Sequence, residues 1–311
     1  MKLSKYVIKY LVVMFMNEEF NECRLCPRNC LVNRNKGELG FCNSGNKIKI
    51  AKAYLHMWEE PPITGKNGSG TIFFSGCNLR CVFCQNYYIS EMNNGVEIEI
   101  DRFSQVCLDL QSRGATNINL VTPTHFVPLI IEGIKMARNM GLNIPIVYNS
   151  SGYETVDTIK SLDGVVDVYL PDFKYYSNDL AMKYSGCKDY FKYASEALSE
   201  MVRQKRECIF DRDGNIISGV IVRHLIIPSR VDDSKKILKY LFESYGNSIY
   251  LSIMNQYTPI KKFKDSELNR TLGNSEYDEV IDYAWNIGIR NAFIQEGMTQ
   301  SESFIPKWDF K

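Results

Sequence analysis

From Gly70 onward the chain alternates short apolar runs, rich in branched and aromatic residues, with stretches of helical period. That alternation narrows the fold more than any other feature. The runs are TIFFS (71–75), INLV (118–121), IPIVYN (144–149), VVDVYL (165–170), GVIVRHLII (219–227), SIYLSI (248–253) and NAFIQ (291–295). Strands that are apolar on both faces belong in a parallel sheet covered by helices. Between them, Phe103, Val106, Cys107 and Leu110 share one helical face, as do Val127, Ile130, Ile131 and Ile134. This many strands favour a full or partial barrel over an open doubly wound sheet. The residues to inspect for chemistry are then those just past each strand's C-terminal end.

The region before Gly70 has a different texture. Residues 23–69 are rich in Cys, Gly, Asn and charge, with little periodicity before KIKIAKAYLHMW. We therefore divide the chain into residues 1–69, an N-terminal helix and cysteine-rich metal module, and residues 70–311, the barrel. In the first 20 residues Tyr6, Tyr10 and Met14 recur at helical spacing, as do Val7 and Leu11. Lys9 interrupts the apolar run and no small-residue cleavage site follows, so this reads as a surface helix, with Met14 and Met16 as alternative starts. No run is long enough to span a bilayer, and a net charge of +1 points to neither nucleic acid nor an anionic membrane as a partner. The expected setting is the cytoplasm, where the ten cysteines stay reduced and are read as ligands or core residues.

Those cysteines fall into two sets. SGCNLRCVFCQN places Cys77, Cys81 and Cys84 directly after the first barrel strand. A structural zinc site wants four ligands, whereas three thiolates on a four-iron cluster leave one iron open to a substrate or cofactor. CRLCPRNC and GELGFC supply Cys23, Cys26, Cys30 and Cys42, four thiolates suited to zinc or to an auxiliary iron-sulfur cluster. The basic residues around them, Arg24, Arg28, Arg34 and Lys36, read as a solvated face. Cys107 reads as core, and Cys187 and Cys208 receive no role.

The C-x3-C-x2-C spacing, with Phe83 before the third cysteine, resembles the signature of the radical S-adenosylmethionine (SAM) superfamily. The wider set HMWEEPPITGKNGSGTIFFSGCNLRCVFCQN, NLVTPTHFVP, VYLPDFKY, GVIVRHLIIP and LSIMNQYTP resembles the PflX-like branch related to pyruvate formate-lyase activating enzymes, over nearly the whole chain. The resemblance implies a partial (β/α)6 barrel. It also implies a 4Fe-4S cluster on Cys77, Cys81 and Cys84, with SAM on the open iron cleaved to a 5'-deoxyadenosyl radical for hydrogen abstraction. It further implies an external electron donor of flavodoxin or ferredoxin type and a substrate that the sequence does not identify, a protein if the chain is a glycyl radical activase.

The same resemblance assigns SAM contacts. Phe83 falls near the adenine, with core packing as its rival role. Thr122 and Thr124, just past a strand that Pro123 ends, fall where the SAM amino group is held, although the glycine-rich form of that loop is absent and Thr124 equally suits a helix cap. Asp172 and Lys174 match a D-x-K pattern beside a monovalent cation. Alternation puts both on one side, where they can orient a ligand or pair with each other. Asn149 and Ser150 stand where the cation's Asp would be. Of Arg223 and His224 one must face inward, and the resemblance makes Arg223 the partner of the SAM carboxylate. Asn255 suits the ribose or substrate. The extra cysteines precede the motif rather than follow it, unlike those of activating enzymes. Two further hypotheses therefore stay open: modification of a small molecule, peptide or RNA base, and a non-catalytic metal-stabilised binding protein.

Overall fold

A computed structural model describes residues 18–295 and Trp308, so the N-terminal helix expected over residues 6–16 lies outside the described residues. The elements run β1 (Ile48–His56), α1 (Pro61–Thr64), β2 (Ser69–Phe74), α2 (Tyr87–Ser90), β3 (Val96–Ile98), α3 (Ile100–Ser112), β4 (Ile118–Val121), α4 (Val127–Asn139), β5 (Ile146–Ser150), α5 (Val156–Ser161), β6 (Val168–Pro171), α6 (Asn178–Ser185), α7 (Tyr190–Gln204), β7 (Ile209–Phe210), β8 (Ile216–Leu225), α8 (Val231–Tyr245), β9 (Tyr250–Met254), α9 (Asn274–Ile287) and β10 (Ala292–Ile294). The sheet order is β10-β9-β8-β6-β5-β4-β2-β1-β3, with β7 on the side of β8. From β2 through β10 the neighbours on this path are parallel, and β1 and β3 add an antiparallel edge. This is the α/β architecture the alternation predicts, and every apolar run after Gly70 overlaps one of its strands. The KIKIAKAYLHMW stretch before Gly70 is also in the sheet, as β1 paired with β2.

Period-2 alternation sorts the side chains into two cores. Tyr148, Tyr169, Val220 and Val222 face outward and join Phe103, Cys107, Leu110, Ile130 and Ile134 from the covering helices. Val147, Val168, Leu170, Ile216 and Ile221 face the lumen and close around Ile63 of α1. The Pro-Pro start of α1 suits the first turn of a helix, where backbone N–H groups lack partners anyway. The segment between β1 and β2 is therefore a plug inside the barrel. The register sets neighbours across the lumen: Asn119 beside Val147, Val121 beside Asn149, and Asp172 bridged to Arg223.

Candidate functional site

Cys77, Cys81 and Cys84 lie in the loop between β2 and α2, at the C-terminal end of the first parallel strand. The turn into that loop needs Gly76: its φ is +86°, and a Cβ there would come within 2.6 Å of the Cys42 carbonyl. Each sulfur accepts one hydrogen bond, Cys77 from the Leu79 N–H (3.3 Å), Cys81 from the Ser185 hydroxyl (3.1 Å) and Cys84 from the Ser90 hydroxyl (3.4 Å). Burial, with the neighbouring Cys84, pushes the Cys77 thiol up to about 12, so metal is needed to draw out the thiolate. Among the described residues no three Cys, His, Asp or Glu side chains converge closely enough to hold a single metal ion. A four-iron cluster asks for less convergence, because each thiolate binds a different iron. Three hydrogen-bonded thiols in one loop fit that group.

The strand ends beside this loop carry a buried charged network. Arg223 points inward. Its Nε donates to Asp172 Oδ1 (2.9 Å), Nη1 to Glu59 Oε2 (3.2 Å) and Nη2 to Asn149 Oδ1 (2.5 Å). Asp172, Glu59 and Asn149 thus partner Arg223 within the chain, at the position where the resemblance implies a contact to the SAM carboxylate. Asp172 and Lys174 do share a side and form an ion pair at 2.6 Å. Burial raises the Asp172 pKa, but Arg223 and Lys174 outweigh it and hold the carboxyl below its usual value. Burial likewise opposes the Lys174 charge, and Asp172 and Cys81 more than offset it. Tyr190 fixes this corner, accepting from the Lys174 N–H (2.9 Å) and donating to the Ser151 and Asp172 carbonyls.

Glu59 and Glu60, from the plug, are residues the sequence reading passed over. Glu59 is pushed up to about 8 by burial, with Arg223 pulling it down and Glu60 and Asp172 pushing it up. Their signal was present in EEPP: an acid pair immediately before two prolines and an apolar turn cannot easily stay in solvent once that turn enters the core.

The other expected residues are placed as follows. Phe83 is buried edge-on to Tyr184 and Tyr257 at 6.0 and 5.9 Å, the core-packing alternative. Thr122 has φ +59°, a left-handed conformation strained for a β-branched residue, and its N–H donates to Asn149 O (2.8 Å). Thr124 caps no helix, because the following 3-10 turn and α4 have Pro123 and Phe126 at their N-caps. Its hydroxyl instead donates to Glu154 (2.7 Å), a fully buried acid that burial pushes up to about 8. Ser150 also hydrogen-bonds Glu154. Asn255 is buried at the end of β9, its N–H donating to Gln295. His224 faces outward, bonded to Phe173 O and Ser234 Oγ, and burial lowers it to about 4; it packs, as expected.

The N-terminal cysteines are also neighbours. Cys26 feels Cys42 and Cys23 electrostatically, and Cys30 Sγ accepts from the Phe41 N–H (3.3 Å). Left-handed backbone at Asn29, Leu31 and Asn43 folds these short loops together. The expected solvated basic face is corrected at two positions. Arg34 is 1% exposed and donates to the Gly45 and His125 carbonyls. Arg28 stacks on Phe41 and donates to the carbonyls of Asn78 (2.9 Å), Ser185 (2.8 Å) and Gly186 (2.6 Å), so it joins the two cysteine regions. Cys187 lies within electrostatic reach of Cys81 and Arg28.

A parallel barrel with a three-cysteine loop at the mouth of its first strand defines a class of cluster-bearing enzyme. The radical SAM superfamily model matches residues 71–272, and the chain belongs to that superfamily, which implies a 4Fe-4S cluster and SAM. Two Methanocaldococcus jannaschii proteins, both described as uncharacterized, are similar. MJ0674 is 32% identical, covering 85% of this chain and 75% of its own length, and MJ0808 is 24% identical, covering 78% and 72%. Among solved structures, SuiB of Streptococcus suis bound to S-adenosylmethionine aligns with TM-score 0.48 at 9% identity, over 76% of this chain and 51% of that one. The FeFe-hydrogenase maturase HydG of Carboxydothermus hydrogenoformans aligns with TM-score 0.49 at 14% identity, over 74% and 54%. The chain thus spans about half the length of these two solved chains.

Proposed function

We propose that this chain is a radical SAM enzyme of the PflX-like branch related to pyruvate formate-lyase activating enzymes. Cys77, Cys81 and Cys84 hold its 4Fe-4S cluster, and the N-terminal cysteines, which as they stand do not converge on a single ion, hold an auxiliary cluster, or zinc once it draws them together, in a module before the barrel. When bound, the cluster supplies the electron that cleaves SAM to methionine and a 5'-deoxyadenosyl radical, which abstracts hydrogen from the substrate. The observation that carries this reading is the set of three hydrogen-bonded thiols at the end of β2, beside Lys174, whose charge Asp172 and Cys81 favour.

The chain's own residues then divide the work. Lys174, held by Asp172, is the cation facing the cluster loop and the group to meet the SAM carboxylate. Arg223 acts through Asp172 as a positioning residue. Thr122 offers its hydroxyl at the end of β4, and Asn149, Ser150 and Asn255 line neighbouring strand ends. The Phe83 cluster closes one wall against water. An external donor of flavodoxin or ferredoxin type delivers the electron, in the cytoplasm.

The test is spectroscopic. The anaerobically reconstituted protein, reduced with dithionite, should give an electron paramagnetic resonance signal that changes when SAM is added. A full complement of iron whose signal ignores SAM would sink the reading and favour a metal-stabilised scaffold.

A further inference from the structure

The barrel lumen below the thiol loop holds more negative charge than its cations balance. Glu59, Glu60 and Asp172 face only Arg223 and Lys174 within one network. Arg223 reaches Glu60 only at 4.0 Å, and Glu60 Oε2 is buried with no hydrogen-bond partner although the residue is just 8% exposed. Glu60 stands at the N-cap of α1, yet its side chain makes no capping bond. Buried carboxylate oxygens without partners are costly, and natural proteins keep them where something else binds.

A second orphan faces the same lumen. Asn119 on β4 is fully buried, and neither its amide nitrogen nor its oxygen has a partner. Its pairing with Thr71 and Val147 puts it on the inward side, one inward position below Val121, the neighbour of Asn149. The lumen also has a way in. A cavity of about 610 Å³ is lined by Glu59 from the plug, with Glu60 behind it, by the aromatic rings of Phe210, Tyr250 and Phe293, and by Lys66, whose charge Asp213 pairs at 3.1 Å. Those rings pack on one another, Tyr250 with Phe293 at 5.4 Å and with Phe210 at 5.2 Å. Aromatic walls ending on carboxylates make a receptor for an organic cation.

We propose that Glu59 and Glu60 form a recognition site for a cationic nitrogen, an ammonium or guanidinium, with the aromatic cavity taking the apolar part of the molecule that bears it. This rests on the radical SAM reading and adds the chemical class of the ligand: the nitrogen belongs to the substrate or to SAM itself. Asn119 supplies a further donor and acceptor deeper in the lumen.

The experiment uses the anaerobically reconstituted full chain and compares hexylammonium with hexanol, a neutral probe of similar length, by calorimetry. The wild type should bind hexylammonium at least tenfold tighter than hexanol. Glu60→Gln and Glu59→Gln should each shrink that preference to within about twofold. Binding that survives saturating SAM assigns the nitrogen to the substrate, and binding that SAM abolishes assigns it to the SAM ammonium. Equal binding of the two probes by the wild type, which needs no variant, would overturn the proposal, as would an undiminished preference in both variants. Failure of the enzymatic reading is distinguishable, because it shows as no SAM-dependent change in the cluster signal whatever the probes do.

Discussion

Cys77, Cys81 and Cys84 hang from the end of a buried parallel strand, whereas Cys23, Cys26, Cys30 and Cys42 lie in loops whose regular structure is one 3-10 turn, Arg34–Lys36. The first set takes its shape from a sheet that would exist without metal. The second takes it from left-handed turns and from Arg28 and Arg34, which tie it to carbonyls of the barrel. The two are nonetheless in contact, since Gly76 at the head of the triplet packs against the Cys42 carbonyl. The difference teaches that the triplet is placed by a regular strand, whereas the N-terminal set is placed by turns and by arginine contacts to the barrel. Metal at the N-terminal set should contribute to folding, and metal at the triplet chiefly to chemistry.

The sharpest way to break this comparison is Cys81→Ala. It should abolish the triplet's cluster and all SAM cleavage while the N-terminal metal stays bound, as measured by metal analysis and absorption spectra. Loss of both metals from that one substitution would show that the sets are a single site. Next comes Arg223→Ala, which leaves Asp172 with Lys174 as its remaining cation and takes from Glu59 and Asn149 their guanidinium partner, and should cost about 3 kcal/mol in denaturant unfolding. Arg223→Lys should recover only part of it, because an ammonium cannot reach three partners in a plane.

Arg28→Ala sharpens the comparison at the join. Losing a half-buried guanidinium's bonds to backbone carbonyls should cost about 1–2 kcal/mol. The loss should appear as faster amide exchange in residues 23–47 and 78–82 together, with the barrel helices unchanged. Exchange altered on one side of the join alone would mean that Arg28 does not couple them.

The last effect concerns pH and is spread over several units. Glu154 holds a proton in the folded chain up to about pH 8, which the unfolded chain gives up near 4.5. Stability attributable to it is therefore present at low pH and falls as pH rises between those values, by up to about 1.4 kcal/mol per unit. Glu154→Gln should flatten that slope between pH 5 and 8; an unchanged slope would mean the carboxyl is already ionised.

The fold and the triplet were readable in sequence because both rest on short-range patterns. Strand period placed β2, β4, β5, β6, β8, β9 and β10, and cysteine spacing placed the thiols. Alternation required one of Arg223 and His224 to face inward, and the resemblance, not the period, chose Arg223. What sequence could not supply was long-range pairing. Arg28 and Arg34 read as solvated because nothing local says which carbonyls will meet them, and Glu59 and Glu60 drew no role because only the entry of the plug into the barrel brings them to Arg223. Thr124 suited a cap by position, but its partner, Glu154, comes from beyond the next strand.

The measurement closest to the central claim is chromatographic assay of 5'-deoxyadenosine from the anaerobically reconstituted protein with dithionite and SAM, beside the Cys77, Cys81 and Cys84 triple alanine variant. The account predicts 5'-deoxyadenosine from the wild type and none from the variant. Equal amounts from both, or none from a wild type with a full cluster whose signal also ignores SAM, would contradict it.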